Sequence, residues 1–316
     1  MEQTTQIINR VLPIIFLIIL GNWIRRRQFL PEATIDDLRK LIVNLALPSV
    51  LFLTFLQIEL KLTYLVIFIL IFCTCLLLFG LGYWIKRQFN IRQTYFPFLM
   101  TGFEYGMLGV SLYGGAYGLE KLGYIAVLAL GHEIFIWFIF LAFLLMQRDG
   151  LRDPKQLLGT FFKSPVIIAI LAGLLLNSLG LKTLLYQAPF TGALMATLQF
   201  LGNLVVPVIL LIVGYSLKFD RQGIKAAFPI TLFRLAILVP LALCLNIFII
   251  RGWLHLEPAF EAALFTLLVL PPPFIIPLYM RPEPAEEKYY VNNVLALYTI
   301  FSVVIYIVYF VVYQVM

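Results

Sequence analysis

Ten stretches of about 20 apolar residues, separated by short polar punctuation, leave this chain one medium in which to fold: a lipid bilayer. A hydrocarbon core of about 30 Å takes about 20 residues of helix to cross. The stretches run over 7–24, 41–57, 62–85, 95–118, 123–146, 165–181, 191–217, 226–250, 260–280 and 290–314. Only 12% of the 316 residues are charged, 62% are hydrophobic, and the mean hydropathy of +0.98 lies outside the range of soluble domains. The expectation is an all-α integral membrane protein with ten transmembrane helices. The first stretch lacks a small-residue cleavage signal and reads as a retained span.

Basic residues set the orientation, because Lys and Arg in short loops resist translocation. With the N-terminus outside, the inner loops hold 17 of the 23 basic residues: Arg25, Arg26, Arg27, Arg39 and Lys40; Lys86, Arg87 and Arg92; Arg148, Arg152, Lys155 and Lys163; Lys218, Arg221 and Lys225; Arg281 and Lys288. Arg10, Lys61, Lys121, Lys182 and Arg251 fall outside, and Arg234 alone lies within a span. Both termini are therefore expected on the outer side of the cell membrane. The net charge of +7 is accounted for by topology and calls for no nucleic-acid partner. Cys73, Cys75 and Cys244 all fall in spans, which argues against a disulfide framework or a zinc site.

Five spans per half would make the second half run inverted relative to the first, and several marks recur in order. The first span reads PIIFLIILG from Pro13 to Gly21 and the sixth PVIIAILAG from Pro165 to Gly173; the second carries NLALPSVLFL from Asn44 and the seventh NLVVPVILLI from Asn203. Entry prolines match too, with Pro31 17 residues before Pro48 and Pro189 18 before Pro207. The fourth span is interrupted by the glycines of GFEYGMLGVSLYGG, 102–115, and the ninth by Pro271, Pro272, Pro273 and Pro277. A proline removes a helical hydrogen bond and glycine loosens the backbone. Non-helical backbone is tolerated in hydrocarbon only where protein buries it or it lines a wet cavity. One broken span at the same place in each half marks a transporter's midplane binding site. The rival account of the fourth span is close helix packing through Gly102, Gly106 and Gly109, but packing does not explain three consecutive prolines.

Ionisable groups inside spans mark function by default. Glu104 lies near mid-depth, and His132 and Glu133, descending the next helix, reach a similar level. A carboxylate in low dielectric takes up a proton readily and a neighbouring His tunes it; the same oxygens with unwound carbonyls suit sodium. The structural alternatives are that Glu104 is a neutral acid plugging the break, and that either His132 or Glu133 merely bonds to a neighbouring span. Arg234 is read as an anion partner or a counter-charge to Glu104 or Glu133, or as a side chain that snorkels to the surface. Asn44 and Asn203 serve either a carbonyl freed by the following proline or the substrate. Ser302, in the tenth span, completes the candidates, with Tyr105 and Gly106 beside Glu104 and with Pro272 and Pro273 in the opposing break.

The chain resembles the auxin efflux carrier family of ten-span secondary transporters, which includes plant auxin exporters and bacterial carriers of organic acids. The resemblance rests on VLPIIFLIILGNWIRRRQFL, LRKLIVNLALPSVLFLTF, FEYGMLGVSLYGGAYGLE, NLVVPVILLIVGYSLKF and the proline-broken ninth span followed by YVNNVLALYTIFSVV. It implies a fold shared with bile acid/sodium symporters and sodium/proton antiporters. Scaffold helices in 1–60 and 151–220 would form a homodimer, and transport-domain helices in 61–150 and 221–316 would carry a small-molecule substrate by an elevator-like shift. The implied cargo is an organic acid or auxin-like carboxylate, with no cofactor beyond a coupling proton or sodium ion. The antiporters of similar fold keep acids on the helix after the first break, which points to Glu133. Many members of the family carry Asn where Glu104 stands and Pro where Ser111 stands. An ionised Glu104 would repel an organic anion, so the acid is protonated when substrate binds, pairs with a cation, or serves a different cargo. The alternatives are a sodium-coupled symporter, an intramembrane enzyme, against which stands the lack of HExxH, G-x-S-x-G or a paired-aspartate motif, and a receptor.

Overall fold

The computed structural model describes residues 2–58, 61–149, 164–216, 221–281 and 285–313. Arg152, Lys155, Lys163 and Lys218, counted above among the inner-loop charges, lie outside these. The described residues form no strand. Among the described residues, six helices are long and apolar enough to cross a membrane: Glu32–Gln57, Thr63–Gln88, Leu119–Arg148, Pro189–Ser216, Gln222–Arg251 and Glu286–Tyr313; Pro165–Ser178 and Pro258–Val269 are shorter and also apolar.

In chain order the helices are α1 (Glu2–Arg26), α2 (Glu32–Leu41), α3 (Leu47–Gln57), α4 (Thr63–Gln88), α5 (Phe96–Met100), α6 (Val110–Tyr117), α7 (Leu122–Ile134) and α8 (Leu141–Asp149). After these come α9 (Pro165–Ser178), α10 (Lys182–Gln187), α11 (Pro189–Asn203), α12 (Val205–Ser216), α13 (Arg221–Leu245), α14 (Pro258–Val269), α15 (Ile276–Tyr279) and α16 (Ala285–Tyr313). Several joints are single π-turns, which absorb a residue without ending the helix. The one at Ile42–Ala46 leads into Pro48, so α2, an interfacial helix by composition, runs on into α3. The entries at the matching prolines are alike: α2 starts after an extended Pro31 and α11 after an extended Ala188, while before Pro207 α11 ends at Asn203 and α12 starts at Val205.

The chain divides into two compact units. The first comprises 1–61, 106–126 and 160–217; the second comprises 62–105, 127–159 and 218–316. The segment Gly106–Ala126 thus clusters with the first unit rather than with the remainder of 61–150.

Within the first unit, α1 packs on α12 and α9 on α3, and glycine decides how closely. A Cβ on Gly21 would run into the carbonyl of Leu211, and one on Gly214 into the carbonyl of Ile18, so α1 and α12 touch backbone to backbone. Gly173 makes the corresponding approach to α3, where a Cβ would lie 2.7 Å from the Phe52 carbonyl oxygen. The glycine that closes PIIFLIILG and the one that closes PVIIAILAG therefore do the same job. Within the second unit α13 packs on α16. The side of α4 that carries Leu65, Ile69, Cys73, Leu77, Gly80 and Trp84 at helical spacing is exposed, an apolar stripe suited to lipid.

Two glycines of similar sequence context separate packing from propensity. Gly80→Ala, where a Cβ meets nothing within 4 Å, is expected to be neutral or to stabilise by about 0.5–1 kcal/mol. Gly21→Ala is expected to destabilise by about 1–3 kcal/mol. Thermal unfolding of the two purified variants in detergent checks both; equal effects would remove the close α1–α12 approach.

Candidate functional site

The first break follows α5. Thr101 turns extended, at φ −133° and ψ 173°, and its hydroxyl donates to the Cys75 carbonyl at 2.8 Å. Gly102 then takes φ +70°, and a Cβ there would sit 2.7 Å from Cγ of Pro273 and 2.9 Å from Cδ1 of Ile136. Left-handed backbone and a proline ring at contact together require glycine at this position. Phe103 and Glu104 stay non-helical, and a π-turn over Tyr105–Gly109 restarts the helix. The unwinding is thus confined to 101–104. Gly106, Gly109, Gly114 and Gly115 of the glycine-rich run are helical, and the last two serve packing against Val206.

The second break follows α14. Leu270 is extended at φ −64° and ψ 152°, and Pro271, Pro272 and Pro273 supply carbonyls but no amide hydrogens. The two breaks are stapled to each other. The Glu104 N–H donates to the Pro271 carbonyl at 2.9 Å, and Oε2 of Glu104 accepts the Phe274 N–H at 2.6 Å. Glu104 is buried, at 8% exposure, and bridges to the first amide hydrogen available after the proline run. Ser302 from α16 donates to the Val269 carbonyl at 2.6 Å, satisfying the end of α14.

Arg234, on α13, is 1% exposed and does not snorkel. Nor does it pair with Glu104 or Glu133: its hydrogen bonds go to backbone carbonyls. Nη1 donates to Leu99 at 2.5 Å, and Nη2 to Gly102 at 2.5 Å and Leu270 at 3.4 Å. The guanidinium carbon lies 5.5 Å from the centre of the Phe103 ring and 5.0 Å from that of Tyr298, within cation–π range.

His132 and Glu133, although neighbours on α7, belong to one chain of hydrogen bonds. The Phe103 N–H donates to Nε2 of His132 at 2.8 Å. An amide can only donate, so Nε2 must be the acceptor and the imidazole proton sits on Nδ1, 3.2 Å from Oε1 of Glu133. Oε2 of Glu133 accepts from the Trp137 indole at 3.0 Å. The network needs Nε2 of His132 free of a proton, with Nδ1–H donating to the Glu133 carboxyl group.

Glu104, Tyr105, His132, Glu133, Arg234, Pro272, Pro273 and Ser302 all lie in the second unit, whereas Asn44, Asn203 and Gly106 lie in the first. Tyr105 is buried. Asn44 is exposed, and its amide donates to the Lys40 carbonyl at 2.8 Å. It does not serve the carbonyl that Pro48 frees, which belongs to Asn44 itself. Asn203 is exposed at the end of α11. Glu261, not among the sequence candidates, is 8% exposed and accepts two bonds from Arg251, at 2.9 and 2.7 Å. Sequence reasoning missed Thr101, Trp137 and Tyr298. Trp137 carried a signal, one helical turn after Glu133; the other two carried none.

A family model described as membrane transport protein matches residues 6–310. A comparison with curated proteins finds no match.

The chain contains two histidines, His132 and His255. His255 sits at φ +48°, a conformation that Asn also tolerates, so His255→Asn leaves one imidazole to observe. Nitrogen-15 NMR of that variant is expected to show the Nδ1–H tautomer at neutral pH. An Nε2–H tautomer would mean that the Phe103 amide is not bonded there.

Proposed function

The chain belongs to the membrane transport protein family, the auxin efflux carrier family that its motifs resemble, and from that premise we propose that it is a secondary active transporter of a small organic solute. The cargo is an organic acid or auxin-like carboxylate, moved across the cell membrane by elevator-type alternating access. The observation that carries the proposal is the stapled pair of breaks. Two spans interrupted at corresponding places, held together by Glu104 through Pro271 and Phe274, are what a midplane site needs and are costly to maintain otherwise.

Ten spans in an inverted five-plus-five repeat follow the same reading, with both termini outside. Their support is the reciprocal packing of matched elements, Gly21 of α1 against α12 and Gly173 of α9 against α3. Division into two compact units supports a scaffold and a moving domain, and the family resemblance adds a homodimer built through the scaffold.

Glu104 bears on what is carried. Its carboxylate accepts the Phe274 amide, so part of its charge is offset before a substrate arrives, and a carboxylate cargo is not barred. The acids that qualify for coupling are Glu104 itself and Glu133 in its bond with His132.

Glu104→Gln keeps an acceptor for the Phe274 amide and removes the charge. It is expected to fold, to transport, and to lose the dependence of flux on an imposed ion gradient in proteoliposomes. The solute for this assay is the strongest hit from a thermal-shift screen of organic acids, indoles and amines. Gradient dependence equal to that of the wild type would take Glu104 out of the coupling step. Glu104→Leu, which also removes the acceptor, is expected to lower stability by about 1–3 kcal/mol.

A further inference from the structure

We infer that Arg234 is a built-in cation of the crossing, and that the crossing consequently takes up no metal cation during transport. The inference rests on the reading of the stapled breaks as the transport site and decides which ion couples to it.

The carbonyls at the ends of broken transmembrane helices are hard oxygen donors, the groups that hold sodium in transporters with unwound helices. Here the three that converge, from Leu99 and Gly102 in the first break and Leu270 in the second, are taken by one guanidinium. Guanidinium is charged at every physiological pH and its fork donates in fixed directions. A buried charge needs compensation. No carboxylate among the described residues forms an ion pair with Arg234. Compensation comes instead from the partial negative charge of carbonyls at helix ends and from the faces of Phe103 and Tyr298. Those same carbonyls cannot serve a second cation: sodium would sit beside a fixed positive charge in a medium that screens it poorly. What remains for coupling is a proton, on Glu104 or on the His132–Glu133 pair.

The test reads stability and needs no knowledge of the substrate. Purified full-length protein is unfolded thermally in sodium chloride and in choline chloride at equal ionic strength. The wild type is expected to melt at one temperature in both. Arg234→Ala, with the cradle vacated, is expected to melt lower and to regain at least about 3 °C in low-millimolar guanidinium, or in sodium relative to choline. Arg234→Lys keeps a charge at the cradle; it is expected to fold and to stay indifferent to sodium, and it serves where Arg234→Ala does not fold. Stabilisation of the wild type by sodium over choline would overturn the inference, as would an Arg234→Ala protein that no cation stabilises. These outcomes are separable from failure of the transport proposal, which would show as absence of solute flux with the thermal pattern intact.

Discussion

A peptide group released from a helix inside hydrocarbon has no water to turn to, and leaving it unpaired costs several kcal/mol. The candidate site is organised by that constraint. Four residues, 101–104, leave helical geometry in one span, and a proline run does so in another. The groups set free are then claimed. The Glu104 amide goes to Pro271 and the Phe274 amide to the Glu104 carboxylate. The Phe103 amide goes to His132, the Val269 carbonyl to Ser302, and the carbonyls of Leu99, Gly102 and Leu270 to Arg234. Residues that look like functional polar groups in an apolar sequence are, first of all, the partners that make the breaks possible.

The charges divide this work by sign. Acceptors stranded at helix ends gather round a cation, and a donor stranded after the prolines is met by an anion. Glu104 and Arg234 therefore do not need each other, and the structure keeps their hydrogen bonds apart. Each is balanced by backbone. The three carbonyls are occupied by a guanidinium, and the carboxylate is engaged with the amide that follows the prolines.

How much of this was legible in the sequence depends on which atoms carry it. An all-helical chain with six helices long and apolar enough to cross a membrane among its described residues and both breaks were legible, because hydropathy and proline chemistry act on the chain locally. The glycine run was read too broadly. Gly102 alone takes the left-handed conformation, while Gly114 and Gly115 are helical packing residues, and no local signal separates the two uses. Arg234 was visible as a charge in a span, but its partners are carbonyls, which every residue possesses and which composition cannot distinguish. Asn44 illustrates the converse error: a repeated polar residue beside a proline suggested a capping role, and its amide instead bonds one turn back, to Lys40. The family was legible because whole motifs, rather than single side chains, carry it.

The tautomer of His132 ties protonation to the integrity of the crossing. With Nε2 accepting the Phe103 amide, a second proton on the imidazole would set one N–H against another, and the bond would have to open. Phe103 precedes Glu104 in the chain, so loosening that amide loosens the residue that staples the two breaks. Glu133 opposes the loosening while it is ionised, because it holds Nδ1–H in place and is itself held by Trp137. A proton arriving at this pair has two destinations with different consequences. On Glu133 it removes the carboxylate that orients the ring; on His132 it expels the backbone from the ring. On either route the contact at stake is the ring's hold on the Phe103 amide, one residue before the staple.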